Sequence, residues 1–395
     1  MEDLVKLNND IELTIIMPCL NEHETLEASI REALRFLADN KDVKGEILIA
    51  DNGSTDGSLE IAQSFSNQGV RVAHIKNKGY GNALRGGTKE AKGKYCIMGD
   101  PDNSYDFYHL MPFLKRLRNG DDLVMGNRFQ GGIAKGAMPW SHRYIGTPIL
   151  SFIGRLFYKN KIGDFNCGLR GYNRRRILDL HLRTTGMEYA SEMIVQSALH
   201  GYKISEVPTI LRRDGRSEAP HLSTWSDGWR HLRFLLMYSP KWLFLYPGLV
   251  MILIGLVGML TILWGSGNLN HVRFSVNTSL FCGGLLLAGI QNILFTVYSY
   301  IFAKNTSYFP VRNSIIEKLE RWTMDKGVLV GFLLFLVGLM LTICSLIVWE
   351  KNDFGRLNTA NIMRITEPAM IFMVSGIQII FGSFFAGILD IKIAD

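Results

Sequence analysis

Closely spaced cysteine pairs, long blocks of like charge and, in residues 1–14, an apolar core are what this sequence lacks. Its five cysteines, Cys19, Cys96, Cys167, Cys282 and Cys344, show no CxxC or CxxH spacing, which argues against a zinc site and for a reducing compartment. The formal net charge of +7 is dispersed along the chain. It reads as a phosphate-binding or membrane-facing surface rather than a nucleic-acid-binding tail, and no nucleic-acid partner is expected. Residues 1–14 hold no apolar core of the signal-peptide kind, so none is expected ahead of the soluble part.

Long apolar runs are absent from the first 240 residues and abundant afterwards. Four of them, about 242–264, 274–302, 327–349 and 368–389, are free of interior charge, and each is near the ~20 residues needed to span a bilayer. The loop between the second and third runs carries Lys304, Arg312, Lys318, Arg321 and Lys326, whereas the loop after the first carries only Arg273. Positive charge stays on the cytoplasmic side, so the N-terminal region and both termini are expected there. Lys351, Arg356 and Arg364 before the last run oppose this, offset by Glu350, Asp353 and Glu367. The expected organisation is a soluble unit over 1–220, a juxtamembrane helix over 221–240 and a four-span membrane unit over 241–395, with self-association through the spans left open.

In the soluble part, the strand-like runs Leu13–Pro18, Glu46–Ala50, Val70–His74 and Tyr95–Met98 alternate with helical patterns. That βαβαβαβ order predicts a doubly wound, mainly parallel α/β sheet with its site beyond the carboxyl ends of the strands. The last run ends in Asp100-Pro101-Asp102. Residues two apart on an extended segment point the same way, so the two carboxylates can converge on one cation. A hard divalent ion held by one or two carboxylates keeps positions for water and substrate phosphates, which suggests a metal-bound diphosphate. Val124–Phe129 reads as a further strand with Arg128 at its end. The stretches 138–158 and 221–238 mix Trp140, Ile149, Phe152, Trp225 and Trp229 with basic residues including Arg143, His221 and Arg230. Too short to span, they have the character of helices lying in a bilayer interface.

Pro18-Cys19-Leu20-Asn21-Glu22, Asp51-Asn52-Gly53-Ser54-Thr55-Asp56-Gly57, Lys78-Gly79-Tyr80-Gly81-Asn82-Ala83 and Asp100-Pro101-Asp102, in this order and spacing, resemble the family 2 glycosyltransferases of GT-A fold. Asp164-Phe165-Asn166-Cys167-Gly168-Leu169-Arg170 and the terminal spans narrow the resemblance to polyprenyl-phosphate glycosyltransferases, similar to dolichyl-phosphate mannose and glucose synthases. The resemblance implies an inverting transfer of one sugar from a nucleotide-diphosphate donor to a polyprenyl phosphate, undecaprenyl or dolichyl, with Mg²⁺ or Mn²⁺ as cofactor.

It also implies roles. Pro18, Leu20, Asn21 and Glu22 would lie against the nucleobase and ribose, with Glu22 accepting a ribose hydroxyl. Asp51 would bind the base, although Asp-Asn-Gly is also turn chemistry. Asn52 replaces the family's frequent second aspartate, so uridine and guanosine both stay open. Asp100 and Asp102 would hold the metal, with Ser104 as third contact and Lys78 near the phosphates. Asp164 would be a general base or would orient the sugar or an arginine. Glu188 and Glu192, one helical turn apart, would contact the sugar or merely share a helix face. Arginine binds phosphate in a bidentate manner and stays charged, making Arg128, Arg143 and Arg212 candidates for the acceptor phosphate, with Arg213 and Arg216 alternatives to Arg212.

Two competing readings are a processive polysaccharide synthase and a non-catalytic nucleotide-sugar-binding membrane scaffold. The first would carry a Gln-x-x-Arg-Trp motif. The nearest string, Lys318-Leu319-Glu320-Arg321-Trp322, lacks the glutamine and falls after two spans. Intact Asp100, Asp102 and Asp164 argue against the second.

Overall fold

The computed structural model describes residues 11–217, 224–263, 268–269, 272–273, 276–306, 308, 310 and 324–391. His221, the side chain of Trp225, Arg312 and the Lys318–Trp322 string lie outside the described residues. The chain divides into two compact units, Met1–Tyr238 and Ser239–Asp395.

The first unit is built on β1 (Leu13–Cys19), in which every residue is buried. Side chains alternate across a strand, so a fully apolar run needs cover on both faces. On one face Leu13, Ile15 and Met17 join Leu26, Ile30 and Phe36 of α1 (Leu26–Asp39) in the core. On the other, Ile16 meets Gly87 of α3 (Tyr80–Glu90), where a Cβ would lie 3.0 Å from its side chain. β1 pairs in parallel with β2 (Gly45–Asp51) and β4 (Tyr95–Met98), and β2 with β3 (Val70–His74). α2 (Ser58–Ser64) joins β2 to β3.

The seven-stranded order is β3-β2-β1-β4-β6-β5-β7, with β5 at Leu123–Asn127, β6 at Arg170–Asn173 and β7 at Ile204–Pro208. β6 runs antiparallel between β4 and β5. The chain therefore returns along the sheet after an excursion through α4 (Met111–Arg118), the short α5 (Arg128–Gly131) and α6 (Thr147–Tyr158). That reversal sets Asp164–Leu169 beside the carboxyl ends of β4 and β5. β5 ends one residue before Arg128, because Asn127 caps α5 by accepting from Gln130 N at 3.0 Å.

α6 follows a wide turn at His142–Gly146. It buries Leu150, Ser151, Gly154 and Tyr158 and exposes Ile149, Phe152 and Leu156, while Trp140 and Tyr144 ahead of it are exposed as well. α7 (Arg174–Asp179) and α8 (Glu188–Leu199) follow β6. α9 (Thr224–Met237) packs on α6 through Tyr158, whose hydroxyl donates to Leu235 O at 2.6 Å, and on α8 through Ser191 Oγ, 2.9 Å from His231 Nδ1.

The second unit holds α10 (Tyr246–Leu263), α11 (Val276–Thr306), α12 (Met324–Glu350) and α13 (Thr359–Asp390). Its stretches Lys241–Thr261, Asn277–Thr306, Met324–Glu350 and Asn361–Asp390 are long and apolar enough to cross a membrane. The fourth helix begins well ahead of the expected start at Pro368, which lies inside it. The charge that ended the sequence window, Glu367, is buried and accepts a hydrogen bond from Ser279 of α11. Interior proline is tolerated in a membrane helix whose neighbours satisfy the freed carbonyl. α12 and α13 touch backbone to backbone: a Cβ at Gly376 would lie 2.6 Å from Gly331 O and 2.7 Å from Phe335 N. Gly376→Leu is expected to lower stability by about 2 kcal/mol or more, seen as a drop in the thermal midpoint of the detergent-solubilised protein. Gly284→Leu, with no atom within 4 Å of its Cβ position, leaves that midpoint unchanged.

Candidate active site

The turn after β4 gives the site its carboxylates. Asp102 Oδ1 accepts from Ser104 N at 3.0 Å and from Ser104 Oγ at 2.5 Å, a local turn that leaves Oδ2 to accept from Arg216 Nη2 at 3.4 Å. Ser104 thus holds the ligand candidate instead of standing beside it as an independent one. Asp100 Oδ1 accepts from the Tyr80 hydroxyl at 2.9 Å. Its Oδ2 faces Gly168, where a Cβ would lie 2.8 Å away, so the Asp164–Arg170 motif reaches the metal candidates through a residue with no side chain. Burial, and then the Asp102 charge, pushes the Asp100 carboxyl up to about 6. Asp102 is raised too, chiefly by burial.

Glu22 joins this pair from the end of β1. Burial pushes its carboxyl up to about 7, with Arg216 opposing and the Asp102 and Asp100 charges adding to the rise. The segment around it is held by the loop after β2: Glu22 N donates to Ser58 Oγ at 2.9 Å, and Asn21 Oδ1 accepts from Thr55 N at 2.9 Å. Asn21 has a left-handed φ of 59°, and Leu20 is exposed, while Pro18 is buried within β1. Asp51 is a buried turn former that accepts from Gly53 N and Ser54 N at 3.2 and 3.0 Å. Asn52 has both ends of its amide engaged: Nδ2 donates to Ile75 O and Asn77 O at 3.1 and 2.8 Å, and Oδ1 accepts from Gly79 N at 2.6 Å. A carboxylate could not make the two donations, which accounts for asparagine here. Lys78 is exposed above Gly53.

Asp164 and Arg128, two of the expected catalytic residues, are bound to each other. Arg128 Nε and Nη2 donate to Asp164 Oδ2 and Oδ1 at 2.6 and 2.8 Å, and Arg128 N adds a bond to Oδ2 at 3.0 Å. Asp164 is fully buried and Arg128 nearly so. Both carboxylate oxygens are occupied, so Asp164 stands here as a strut and not as a free base. Glu206 Oε1 secures the turn by accepting from Gly163 N and Asp164 N at 2.7 and 3.0 Å.

The acceptor arginines named from sequence do not converge. Arg128 is in the strut. Arg143 lies over Tyr144 at 5.5 Å on the exposed aromatic surface. Arg212 bridges Glu32 and Asp106 at 2.6 and 2.7 Å. Arg213 donates to Lys135 O at 2.6 Å. The arginine that reaches the carboxylates is Arg216, 3.2 Å from Glu22 Oε1, 3.4 Å from Asp102 Oδ2, and paired with Asp214 at 2.6 Å. In sequence Arg212, Arg213 and Arg216 are equivalent alternatives, and only the fold separates them. Nor does Glu192 face the pocket: it is buried and accepts from Thr184 N, Thr184 Oγ1 and the Tyr238 hydroxyl at 2.8, 2.6 and 3.1 Å. Glu188 pairs with Arg230 at 3.3 Å.

The donor set fits a hard divalent ion. Asp100 and Asp102 each turn one carboxylate oxygen away from its internal bonds, and a guanidinium already stands where a cation would bind Asp102. No cluster of three His, Cys, Asp or Glu ligands occurs among the described residues. An ion here would complete its shell with water and phosphate oxygens.

Comparison with known proteins bears on this geometry. Residues 14–180 match the model of Glycosyl transferase family 2, and residues 297–390 match that of the Glycosyltransferase family 2 C-terminal transmembrane region. The chain is 33% identical to the low-salt glycan biosynthesis hexosyltransferase Agl6 of Haloferax volcanii, over 98% of this chain and 92% of that one. It is 28% identical to a dolichyl-phosphate hexose transferase of the same organism, over 51% of this chain and 83% of the relative. Among solved structures, a glucosyl-3-phosphoglycerate synthase from Mycobacterium tuberculosis in complex with Mn²⁺, uridine diphosphate and phosphoglyceric acid matches 60% of this chain and 82% of its own. The identity is 19% and the TM-score 0.44.

Two outcomes follow from the geometry. Asp164→Asn leaves the buried Arg128 charge half-paired and is expected to cost about 3 kcal/mol of stability, seen by thermal unfolding, where loss of a mere proton acceptor would leave the midpoint in place. Protons and metal would compete for Asp100, whose carboxyl is raised above the usual carboxylate range by burial and the Asp102 charge. Mn²⁺ affinity should therefore fall about tenfold between pH 7 and pH 5, measured by titrating the protein with Mn²⁺.

Proposed function

Because the chain belongs to glycosyl transferase family 2 and is a membrane protein, we propose that this glycosyltransferase moves a single sugar, with inversion, from a nucleotide-diphosphate donor to a polyprenyl phosphate at the cytoplasmic membrane face. The observation that carries the reading is the pair Asp100 and Asp102 after β4, one oxygen of each held by Tyr80 or Ser104, with Glu22 and Arg216 beside Asp102, in a chain that continues into four helices long enough to cross a membrane. The similarity to a dolichyl-phosphate hexose transferase supports a lipid phosphate as acceptor.

On this reading Glu22, at the end of β1, receives the ribose, and Asp100 and Asp102 hold Mg²⁺ or Mn²⁺. Bound there, the ion neutralises charge on the departing nucleoside diphosphate. Tyr80 and Ser104 fix the two carboxylates, so the ligand geometry is set before substrate arrives. The acceptor needs little help with its proton: a phosphate monoester has a second pKa of about 6 and is largely a dianion at neutral pH. That agrees with an Asp164 whose oxygens are already committed to Arg128. Arg216 and Arg143 are the candidates for meeting phosphate, Arg216 at the carboxylates and Arg143 on the aromatic surface. Trp140, Tyr144, Ile149, Phe152 and Trp229, all exposed, support an interfacial placement of α6 and α9. The excess of Lys and Arg in the second loop supports the cytoplasmic orientation.

The test offers purified enzyme labelled UDP-glucose, UDP-N-acetylglucosamine and GDP-mannose with undecaprenyl or dolichyl phosphate, with Mg²⁺ or Mn²⁺. One donor is expected to yield a polyprenyl-phosphate monosaccharide. Asp102→Asn, with an unchanged thermal midpoint, is expected to lose more than a hundredfold in rate. Polymer formation, or full activity of the variant, would overturn the reading.

A further inference from the structure

Residues 212–217 form a strap over the Asp100–Ser104 turn. Its backbone is tied down twice, by Arg212 N to Ser104 O at 2.8 Å and Gly215 N to Asp102 O at 2.9 Å. It lies flush: a Cβ at Gly215 would be 3.0 Å from Asn103 Nδ2 and 3.1 Å from Thr25. The acidic edge of α1 anchors it from the side, Ser217 N and Oγ donating to Glu24 at 2.7 and 2.5 Å and Arg212 pairing with Glu32. The consequence of this fixing is the position of one guanidinium. Arg216 is set between Glu22 and Asp102 and held from behind by both oxygens of Asp214.

We propose that Arg216 is a built-in competitor for the divalent ion, holding the cation position at Asp102 until metal and diphosphate arrive together. The proposal rests on reading Asp100 and Asp102 as metal ligands. Glu22, Asp100, Asp102 and Asp214 crowd one pocket, and without a cation their repulsion is unopposed. Arg216 opposes it. A metal at Asp102 Oδ2 needs the oxygen that faces the guanidinium, and two cations sharing it repel each other. Metal without a phosphate must therefore displace Arg216 from Asp102 onto Asp214 and Glu22 alone, with no new partner to replace the one lost. Metal that brings a diphosphate supplies the replacement partner, to which arginine binds in a bidentate manner. The arrangement favours loading of ion and donor as a unit over ion alone.

The experiment measures Mn²⁺ binding to the full-length protein in detergent at pH 7.5, from the paramagnetic resonance of free Mn²⁺, with and without UDP. Without UDP, Arg216→Ala is expected to bind Mn²⁺ about fivefold tighter than the wild type, and Arg216→Lys, which keeps the charge, to stay within about twofold. With UDP the gap between wild type and Arg216→Ala should close or reverse. Asp102→Asn should lose binding in every arm. Unchanged affinity in Arg216→Ala, with binding still lost in Asp102→Asn, would overturn the competition and leave the metal site standing. Equal gains in the Ala and Lys variants would assign the effect to packing of the strap and also overturn it. Mn²⁺ binding that is absent throughout, or indifferent to Asp102→Asn, would overturn the metal reading itself.

Discussion

Crowding of carboxylates is the constraint around which this active-site pocket is arranged. Glu22, Asp100, Asp102 and Asp214 reach one small region from the end of β1, the turn after β4 and the strap after β7, and burial raises the first three. Such a cluster is stable only if hydrogen bonds fix each carboxylate and a positive charge stands among them. Tyr80 and Ser104 do the first, and Arg216 does the second. The strap, its anchors on α1 and the left-handed Asn103 beneath Gly215 serve the placement of that guanidinium. A carboxylate set that fits a divalent ion is thereby charge-balanced by the protein's own arginine.

A second buried pair performs a different task. Arg128 begins α5 at the end of β5, and Asp164 belongs to the segment leading into β6, so their bidentate contact ties the two ends of a long excursion. α6 lies inside that excursion and packs onto the same segment: Ser151 Oγ accepts from Phe165 N at 3.0 Å, and Gly154 leaves room for the Phe165 ring. One helix therefore has a core face fixed to the Asp164–Arg170 segment and an opposite face of exposed Ile149, Phe152 and Leu156. Whatever that apolar face meets is mechanically joined to Gly168 and Asp100 through a few residues of rigid chain.

The parts of this arrangement that sequence made legible are those set by local chemistry. β1, β2 and β4 are mainly apolar runs, β3 alternates around Arg71, and Asp100 and Asp102 directly follow β4 at the carboxyl end where the site of such a sheet lies. β6 was not legible, because Arg-Gly-Tyr-Asn carries no apolar pattern. It is a buried strand only because Arg170 can satisfy its guanidinium on Cys167 O, Phe165 O and Ala190 O. The choice of Arg216 over Arg212 and Arg213 depends on where Glu32, Asp106 and Lys135 fall in space, which no spacing encodes. The early start of α13 was hidden for the same reason: Glu367 reads as a boundary until Ser279, on another helix, supplies its hydrogen bond.

Asp164 shows how far a motif can be carried before geometry must decide its role. A carboxylate near the reacting centre invites assignment as a base, and a base needs an oxygen free to take a proton. Here three bonds from Arg128 engage both oxygens of the carboxylate, and protonating it would leave a buried guanidinium without its counter-charge. An acceptor hydroxyl with a pKa far above neutrality would make that arrangement a poor one for catalysis. A phosphate acceptor, already a dianion at neutral pH, removes the need. The burial of Asp164 therefore fits the proposed acceptor: an enzyme whose acceptor attacks as phosphate can commit this acid to structure, whereas one whose acceptor is a sugar hydroxyl needs a carboxylate free to take the proton.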